Sequence, residues 1–430
     1  MKGRVHYDVL IVGAGIIGLS AAYHIKQNNP DLSVLVLDRN AAAAQGETAK
    51  SVAAVRDCFT SEVNRLLAKS TIEFYKHLQF ESHFNLGLEL VGYLWLLTEF
   101  EFRRFNAFMK RMQEQGVRLH IWEREDLADL IPDLVLTPRS EESKLLGLES
   151  IHMGVQGLNC GTVSPDMVAK YYETEFGRLG GEFQYRTEVK SLYLASKDPL
   201  GLPGEPFAWQ EKVIRGVETE RGMFSADRMV LATGALTPRL LDPLGIDCLV
   251  KPKKRQVFRI RAGDVLQRLL HTKGFNELDT IPLTILPRGG VHFRPVRGEK
   301  SLWIAAADDV GRPLQYEEEP AAEESFFNYS IYPILSEYFP CFKDQRPANA
   351  WAGHYDMNTL DGTPIIEEVA NCMFIVGMSG SGIMKADAIG RVVAAAFNRR
   401  EWATLFDGSR LMVSRLGLRD RAVGKEEFVL

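Results

Sequence analysis

The sequence predicts an α/β protein with a Rossmann-like dinucleotide-binding domain that the chain leaves and re-enters, plus a mostly antiparallel second domain. Three observations predict it. A strand, a glycine turn, a helix and a second strand follow one another between residues 7 and 38. Apolar strands running into glycine return at 228–234 and 373–377. The stretches between carry short strands and turns instead of regular strand–helix alternation.

Residues 7–12 are an apolar run ending in Gly13-Ala14-Gly15-Ile16-Ile17-Gly18; residues 19–27 read as a helix stopped at Asn28-Asn29-Pro30, and 33–37 as a strand ending at Asp38. Gly13 allows the tight turn, Gly15 lets a pyrophosphate approach the backbone, and Gly18 lets the helix pack on the strand. The helix N-terminus offers N–H groups and partial positive charge to phosphates. Asp38, twenty residues after Gly18, can accept hydrogen bonds from ribose hydroxyls. A glycine turn that serves packing alone is the competing reading. Residues 61–80 and 100–115 read as helices, and 189–194, 213–219 and 228–232 as strands. More strands fall between 250 and 308, and 198–207, broken by prolines and glycines, is an exposed loop. A strand at 373–376, a glycine loop at 377–382 and an alanine-rich helix from about 384 to 397 complete the pattern.

Composition narrows the function. The 430 residues are 46% hydrophobic and 25% charged, which excludes a disordered chain or a coiled coil, and a net charge of -5 gives no global reason to bind nucleic acid. Cys58, Cys160, Cys248, Cys341 and Cys372 are odd in number and never spaced C-x-x-C, so no metal site and no disulfide framework is expected, and the cytoplasm is the natural location. The first residues run straight into the glycine motif without a targeting peptide. The apolar runs 9–12 and 91–97 are too short to span a bilayer, leaving membrane contact peripheral. The basic run Lys251-Pro252-Lys253-Lys254-Arg255-Gln256 and the acidic run Glu317-Glu318-Glu319 read as solvated faces.

The discontinuity, with Arg228-Met229-Val230-Leu231-Ala232-Thr233-Gly234 and Phe374-Ile375-Val376-Gly377 as returning segments, resembles the FAD-binding D-amino-acid oxidase family. Its branch includes sarcosine oxidase, glycine oxidase, dimethylglycine dehydrogenase and archaeal L-proline dehydrogenase β subunits. The stretch Trp351-Ala352-Gly353-His354-Tyr355-Asp356-Met357-Asn358-Thr359 is similar to one in the mitochondrial FAD-dependent oxidoreductase-domain proteins associated with complex I assembly. The resemblance implies a discontinuous FAD-binding domain (1–80, 150–245 and 350–430) and a substrate-binding domain (81–149 and 246–349).

It assigns Gly13, Ala14, Gly15, Ile16, Ile17, Gly18, Asp38 and Arg39 to the ADP half of FAD. Ala49, Lys50, Ser51, Val52 and Ala53 form a small-residue loop under the pyrophosphate and flavin. Val189 meets the adenine, and Ala232, Thr233 and Gly234 sit near ribose and phosphates. Gly377, Gly380, Ser381, Gly382, Ile383 and Met384 cradle the flavin pyrimidine, where loop amides and helix dipole suit negative charge on reduced flavin. Covalent attachment in the family uses a His in the first loop or a Cys in the later one. Here those places hold Ala49, Lys50 and Ser51, and Gly353, so FAD is expected to be non-covalent.

For the substrate, Arg56 is the expected carboxylate clamp, with Tyr355 facing the flavin. Met384 stands where sarcosine oxidases carry a carboxylate-binding lysine, with Lys385 one residue off, and Trp303 stands where they place a lysine for oxygen. The implied reaction is oxidation of the C–N bond of a small N-methyl, cyclic or primary amino acid, with hydride passing to flavin N5. Replacement of the oxygen lysine implies a quinone or an electron-transfer flavoprotein as acceptor. Two rivals stay open: a 2-hydroxy-acid dehydrogenase with His292 or His354 as base, and a flavin-binding assembly protein with little turnover.

Overall fold

Val9 to Val12 are four consecutive apolar residues, each at most 5% exposed, as a parallel strand covered on both faces requires. In the computed structural model, which describes residues 5–308, 310–419, 421–424 and 426, the strand Val5–Val12 lies at the centre of the first sheet. It pairs in parallel with Val34–Leu37 on one side and Gly222–Leu231 on the other. Glu182–Gln184 and Cys372–Val376 extend the sheet in parallel, and Ile365–Val369 closes one edge antiparallel. Val12 is in register with both Leu37 and Leu231, so the strands end at one level and present one shared C-terminal edge.

Side chains alternate between two cores. Val9, Ile11, Val34 and Val36 pack with the helices Ile16–Asn28 and Ala386–Phe397. Leu10, Val12, Leu35 and Leu37 pack against Leu192, Ile214 and Val217 of a ladder formed by Val189–Ser196 and Lys212–Thr219. Each such side chain taken from water contributes about 1.5–3 kcal/mol.

The second sheet has eight strands, in the order Asn349–Asn358, Val250–Arg261, Ser301–Ala306, Val291–Val296, Leu283–Ile285, Tyr93–Leu97, Met153–Gly157 and Leu119–Trp122. All its pairs are antiparallel except that of Leu283–Ile285 with Tyr93–Leu97. Phe258, Ile260, Phe293, Leu302 and Ile304 bury one face against the helices Asp264–Leu270 and Tyr332–Tyr338. The opposite face contributes to a large cavity beside the edge of the first sheet.

Met153–Gly157 and Asn349–Asn358 both belong to the second sheet, although they lie across, or almost wholly across, the expected breaks at 150 and 350. Met153–Gly157 was hidden because glycine and glutamine interrupt its apolar pattern. The basic run at 251–256 is not a solvated turn. It lies inside Val250–Arg261, where Lys253 and Lys254 are buried and Lys254 Nζ lies 3.0 Å from both Glu317 Oε2 and Glu323 Oε1. The acidic run answers it, with Glu318 also binding Arg39 and Arg239. The expected helix at 384 starts two residues later, at Ala386, after a 3₁₀ turn Ile383–Lys385. Among the described residues no helix is long and apolar enough to cross a membrane.

Candidate active site

A cavity of about 850 Å³ runs along the shared edge of the first sheet and under the second. Its three glycines at the first turn have different work. Gly13 adopts φ +107°, and a Cβ there would come within 2.5 Å of the Ala232 carbonyl oxygen; one at Gly18 would come within 1.9 Å of the Gly13 oxygen. These two are required by packing. A Cβ at Gly15 would meet only Thr48 Oγ1, at 3.5 Å, and Gly15 lines the cavity at the start of Ile16–Asn28. That helix has no acidic residue in its first turn and no side-chain cap on Gly15. An open helix start facing a cavity fits a bound pyrophosphate.

Thr48, absent from the sequence assignments, accepts a hydrogen bond from Ile16 N at 3.0 Å. Asp38 accepts from Ala14 N and Asn40 N, both at 2.7 Å, while its carboxylate borders the cavity. Arg39 Nη2 donates to the Tyr316 hydroxyl at 2.9 Å. Ile16, Ile17, Val189, Ala232, Thr233 and Gly234 line the same end. In the loop that follows Asp38, Lys50, Ser51 and Val52 line the cavity, whereas Ala49 and Ala53 stand behind it. Ala14, Gly18 and Gly377 are likewise supporting residues and do not form the wall.

The later glycine loop is held from the second sheet. Asp356 Oδ2 accepts from Gly377 N at 2.8 Å and Met378 N at 3.1 Å, and burial pushes this carboxyl up to about 6 despite those bonds. Gly380, at φ +84°, leaves room for the Tyr355 ring, which a Cβ would meet at 2.2 Å. Gly380, Ser381, Gly382, Ile383, Met384 and Tyr355 all line the cavity.

Lys385, one residue beyond Met384, lines the cavity as well. It is 1% exposed, and its Nζ donates to Asn64 Oδ1 at 2.7 Å and Ser381 Oγ at 2.6 Å. Burial lowers its ammonium to about 7, opposed by Glu426. Arg56 meets the same ring: Arg56 Cζ is 4.3 Å, and Lys385 Nζ 5.0 Å, from the Phe59 centroid. Arg56 Nη1 also donates to the Cys58 carbonyl at 2.7 Å. Glu426 reaches this end, accepting from Thr60 N at 2.9 Å and Ser61 N at 3.1 Å. Behind Arg56 the Cys58 and Cys160 thiols meet at 3.6 Å, though all five cysteines are free.

Both histidines line the cavity. His292 Nδ1 lies 2.9 Å from the Gly290 carbonyl, which leaves Nε2 as the acceptor, and burial holds the imidazole below its ordinary value. His354 Nε2 accepts from Glu317 N at 3.2 Å, its ring stacks on Tyr316, and its backbone N–H donates to Glu47 Oε2 at 2.6 Å. Burial works against the Glu47 carboxylate, but the bonds from His354 hold it below its usual range. His354 thereby bonds to two separate loops. Trp303 does not line the cavity; Ala305, two residues along the same face, does. Trp303 instead packs on Trp351 with its Nε1 toward Glu299.

A family model described as FAD dependent oxidoreductase (DAO) matches residues 8–396. The FAD-dependent oxidoreductase domain-containing protein 1 of Xenopus laevis is 24% identical over 420 residues, covering 90% of this chain and 78% of that protein. L-2-hydroxyglutarate dehydrogenase of Indibacter alkaliphilus is 27% identical over 292 residues, 67% of this chain and 64% of that protein. Among solved structures, L-proline dehydrogenase from P. horikoshii matches with a TM-score of 0.73 at 19% identity, over 92% of this chain and 94% of that one. Glycine oxidase from Geobacillus kaustophilus matches at 0.71 and 19%, over 93% and 96%. At these identities the structural likeness speaks for the fold.

Proposed function

The chain belongs to the FAD-dependent oxidoreductase (DAO) family, and on that premise we propose that it oxidises the C–N bond of a small amino acid held by its carboxylate. FAD, when bound, supplies the hydride acceptor. This chain's residues do the rest: the Ile16–Asn28 helix start and Asp38 hold the ADP half, and the Gly377–Gly382 loop, fixed by Asp356, faces the flavin. The observation that carries the reading is the buried pair Arg56 and Lys385 on the Phe59 ring, two basic side chains lining one cavity. Such a pair suits a carboxylate and orients the neighbouring C–N bond. Binding of FAD is non-covalent in this proposal, since none of the five cysteines lines the cavity.

A second reading, oxidation of a 2-hydroxy acid, has one observation in its favour. A hydroxyl proton needs a base, and His292 is held neutral by burial with Nε2 as acceptor. Trp303, standing where the resemblance places the oxygen lysine, supports a quinone or an electron-transfer flavoprotein as acceptor. Anaerobic mixing of the FAD-loaded protein with amino and hydroxy acids, followed by bleaching of the oxidised flavin band, separates the readings. Bleaching by N-methyl, cyclic or primary amino acids supports the first and by hydroxy acids alone the second; bleaching by neither overturns both.

A further inference from the structure

The cavity wall carries an acid beside its two basic groups. Among the described residues that line the cavity, Asp38, Glu47, Glu188, Asp356, Asp361 and Glu426 bear carboxylates. Asp38 and Glu188 belong to the ADP end, next to Arg39 and Val189. Glu47 is held by His354, Asp356 by the Gly377 and Met378 amides, and Asp361 by Arg421. Glu426 is the acid that joins Arg56 and Lys385 around the start of the helix Glu62–Lys76. Its Oε1 accepts from Thr60 N and Thr60 Oγ1, both at 2.9 Å, and its Oε2 from Ser61 N at 3.1 Å. Those residues directly follow Phe59, whose ring carries both Arg56 and Lys385, and Lys385 Nζ donates to Asn64 in the first turn of the same helix.

The segment that delivers Glu426 is anchored before it arrives. Arg421 grips Asp361 with two prongs, Nε to Oδ2 at 2.7 Å and Nη2 to Oδ1 at 2.9 Å, and donates to the Thr363 carbonyl at 2.8 Å. Asp361 and Glu426 both line the cavity, so the segment is tied to its wall at two places.

An α-amino acid carries its ammonium on the same carbon as its carboxylate. With that carboxylate on Arg56 and Lys385, the ammonium enters a region of like charge, which is unfavourable unless an anion answers it. A hydroxy acid or a plain carboxylate makes no such demand.

We propose that Glu426 is a specificity-determining residue that receives the substrate's amino group while Arg56 and Lys385 hold its carboxylate, so that the site selects a zwitterion over a 2-hydroxy acid or a plain carboxylate. This rests on the carboxylate-site reading above. An ammonium–carboxylate hydrogen bond is stronger than one between neutral groups, and it is lost when the ammonium is replaced by an apolar group of the same size.

The test titrates the FAD-loaded protein with 2-aminoisobutyrate and with pivalate, an unreactive carboxylate like butyrate, and reads the perturbation of the flavin visible spectrum. The two probes share a shape and differ in an ammonium against a methyl group, and neither has a hydrogen on the carbon beside the carboxylate to be oxidised. Wild-type protein should bind 2-aminoisobutyrate roughly ten- to a hundredfold more tightly than pivalate. Glu426→Gln, which keeps the shape of the side chain but not its charge, should bring the two within about twofold of each other. Equal loss of both probes with a lowered Tm would reduce Glu426 to a cap on the Thr60 and Ser61 amides, and equal tightening of both would make it a competitor for the anion site; either result overturns the proposal. Equal binding of the two probes by wild-type protein, or tighter binding of 2-hydroxyisobutyrate than of 2-aminoisobutyrate, would overturn it and leave the carboxylate reading standing. Binding of none would overturn both. The wild-type comparison decides the matter even if Glu426→Gln does not fold.

Discussion

Replacing Gly15 separates cofactor binding from folding. At Gly15 the backbone is extended, with φ -72° and ψ 173°, and a Cβ meets nothing closer than Thr48 Oγ1 at 3.5 Å, so valine fits the FAD-free protein. Its cost is confined to the helix N-cap, where valine is worse than glycine by about 0.5–1 kcal/mol. In a chain of this size that should lower the Tm of the FAD-free protein by no more than about 2–3 °C. The valine side chain would, however, stand in the cavity where the pyrophosphate meets the helix start. Two charge-assisted hydrogen bonds lost there, at about 1.5–3 kcal/mol each, weaken FAD binding by about 3–6 kcal/mol, or 10²–10⁴-fold. Titration of FAD-free protein with FAD, followed by quenching of flavin fluorescence, gives the Kd, and thermal unfolding without FAD gives the Tm. A Kd within tenfold of wild type would place the phosphates elsewhere. A fall in Tm as large as that of Gly13→Val, whose left-handed backbone forbids the side chain, would show that lost loading is only lost folding.

Arg56→Ala, loaded with FAD, should weaken butyrate binding by about 2–5 kcal/mol; unchanged affinity would reduce Arg56 to a brace for the Cys58 carbonyl. Butyrate binding should fall as pH rises through about 7, where Lys385 loses its proton in the ligand-free protein, and Lys385→Met should flatten that profile. The stability effect has the opposite sense. Because the folded value lies below the ordinary 10.5, the unfolded chain binds more protons between about 7 and 10.5, so this burial penalty is full below 7 and is relieved as pH rises. Lys385→Met should therefore raise the Tm most at pH 6 and least at pH 10, and a uniform shift would contradict the assignment. Asp356→Asn keeps the shape of the side chain but replaces a carboxylate that accepts from Gly377 N and Met378 N, and FAD affinity should fall by about 1–3 kcal/mol in the same titration.

The first turn was legible because its constraints are local: a strand, three glycines and a helix within a few residues state their own geometry. The returning strands were legible for a similar reason, since each ends in glycine at the common sheet edge. Residues whose roles depend on distant partners were not. Lys254 looked solvated because its acids come from 63 and 69 residues away. Thr48 caps a helix that begins 32 residues earlier in the chain. The resemblance put Trp303 on a strand that borders the cavity, but only the three-dimensional edge of the cavity shows that the wall reaches Ala305 and stops short of 303. Lys385 escaped because the glycine loop enters the helix through a 3₁₀ turn, which puts both Met384 and Lys385 on the wall and makes a one-residue offset decisive.

The strand Asn349–Asn358 explains why cofactor and substrate ends form one unit. It belongs to the second sheet by pairing with Val250–Arg261, yet it fixes both loops that border the flavin region. Its Asp356 carboxylate gathers the Gly377 and Met378 amides, its His354 N–H holds Glu47, and its Trp351 indole donates to the Lys50 carbonyl at 2.9 Å. Tyr355, between two of those anchors, packs its ring where Gly380 has no side chain. Movement of this strand would displace the first loop, the later loop and the Tyr355 ring together. Substitutions on this strand should therefore change FAD affinity through these side-chain–backbone hydrogen bonds, with no need for direct contact with the cofactor.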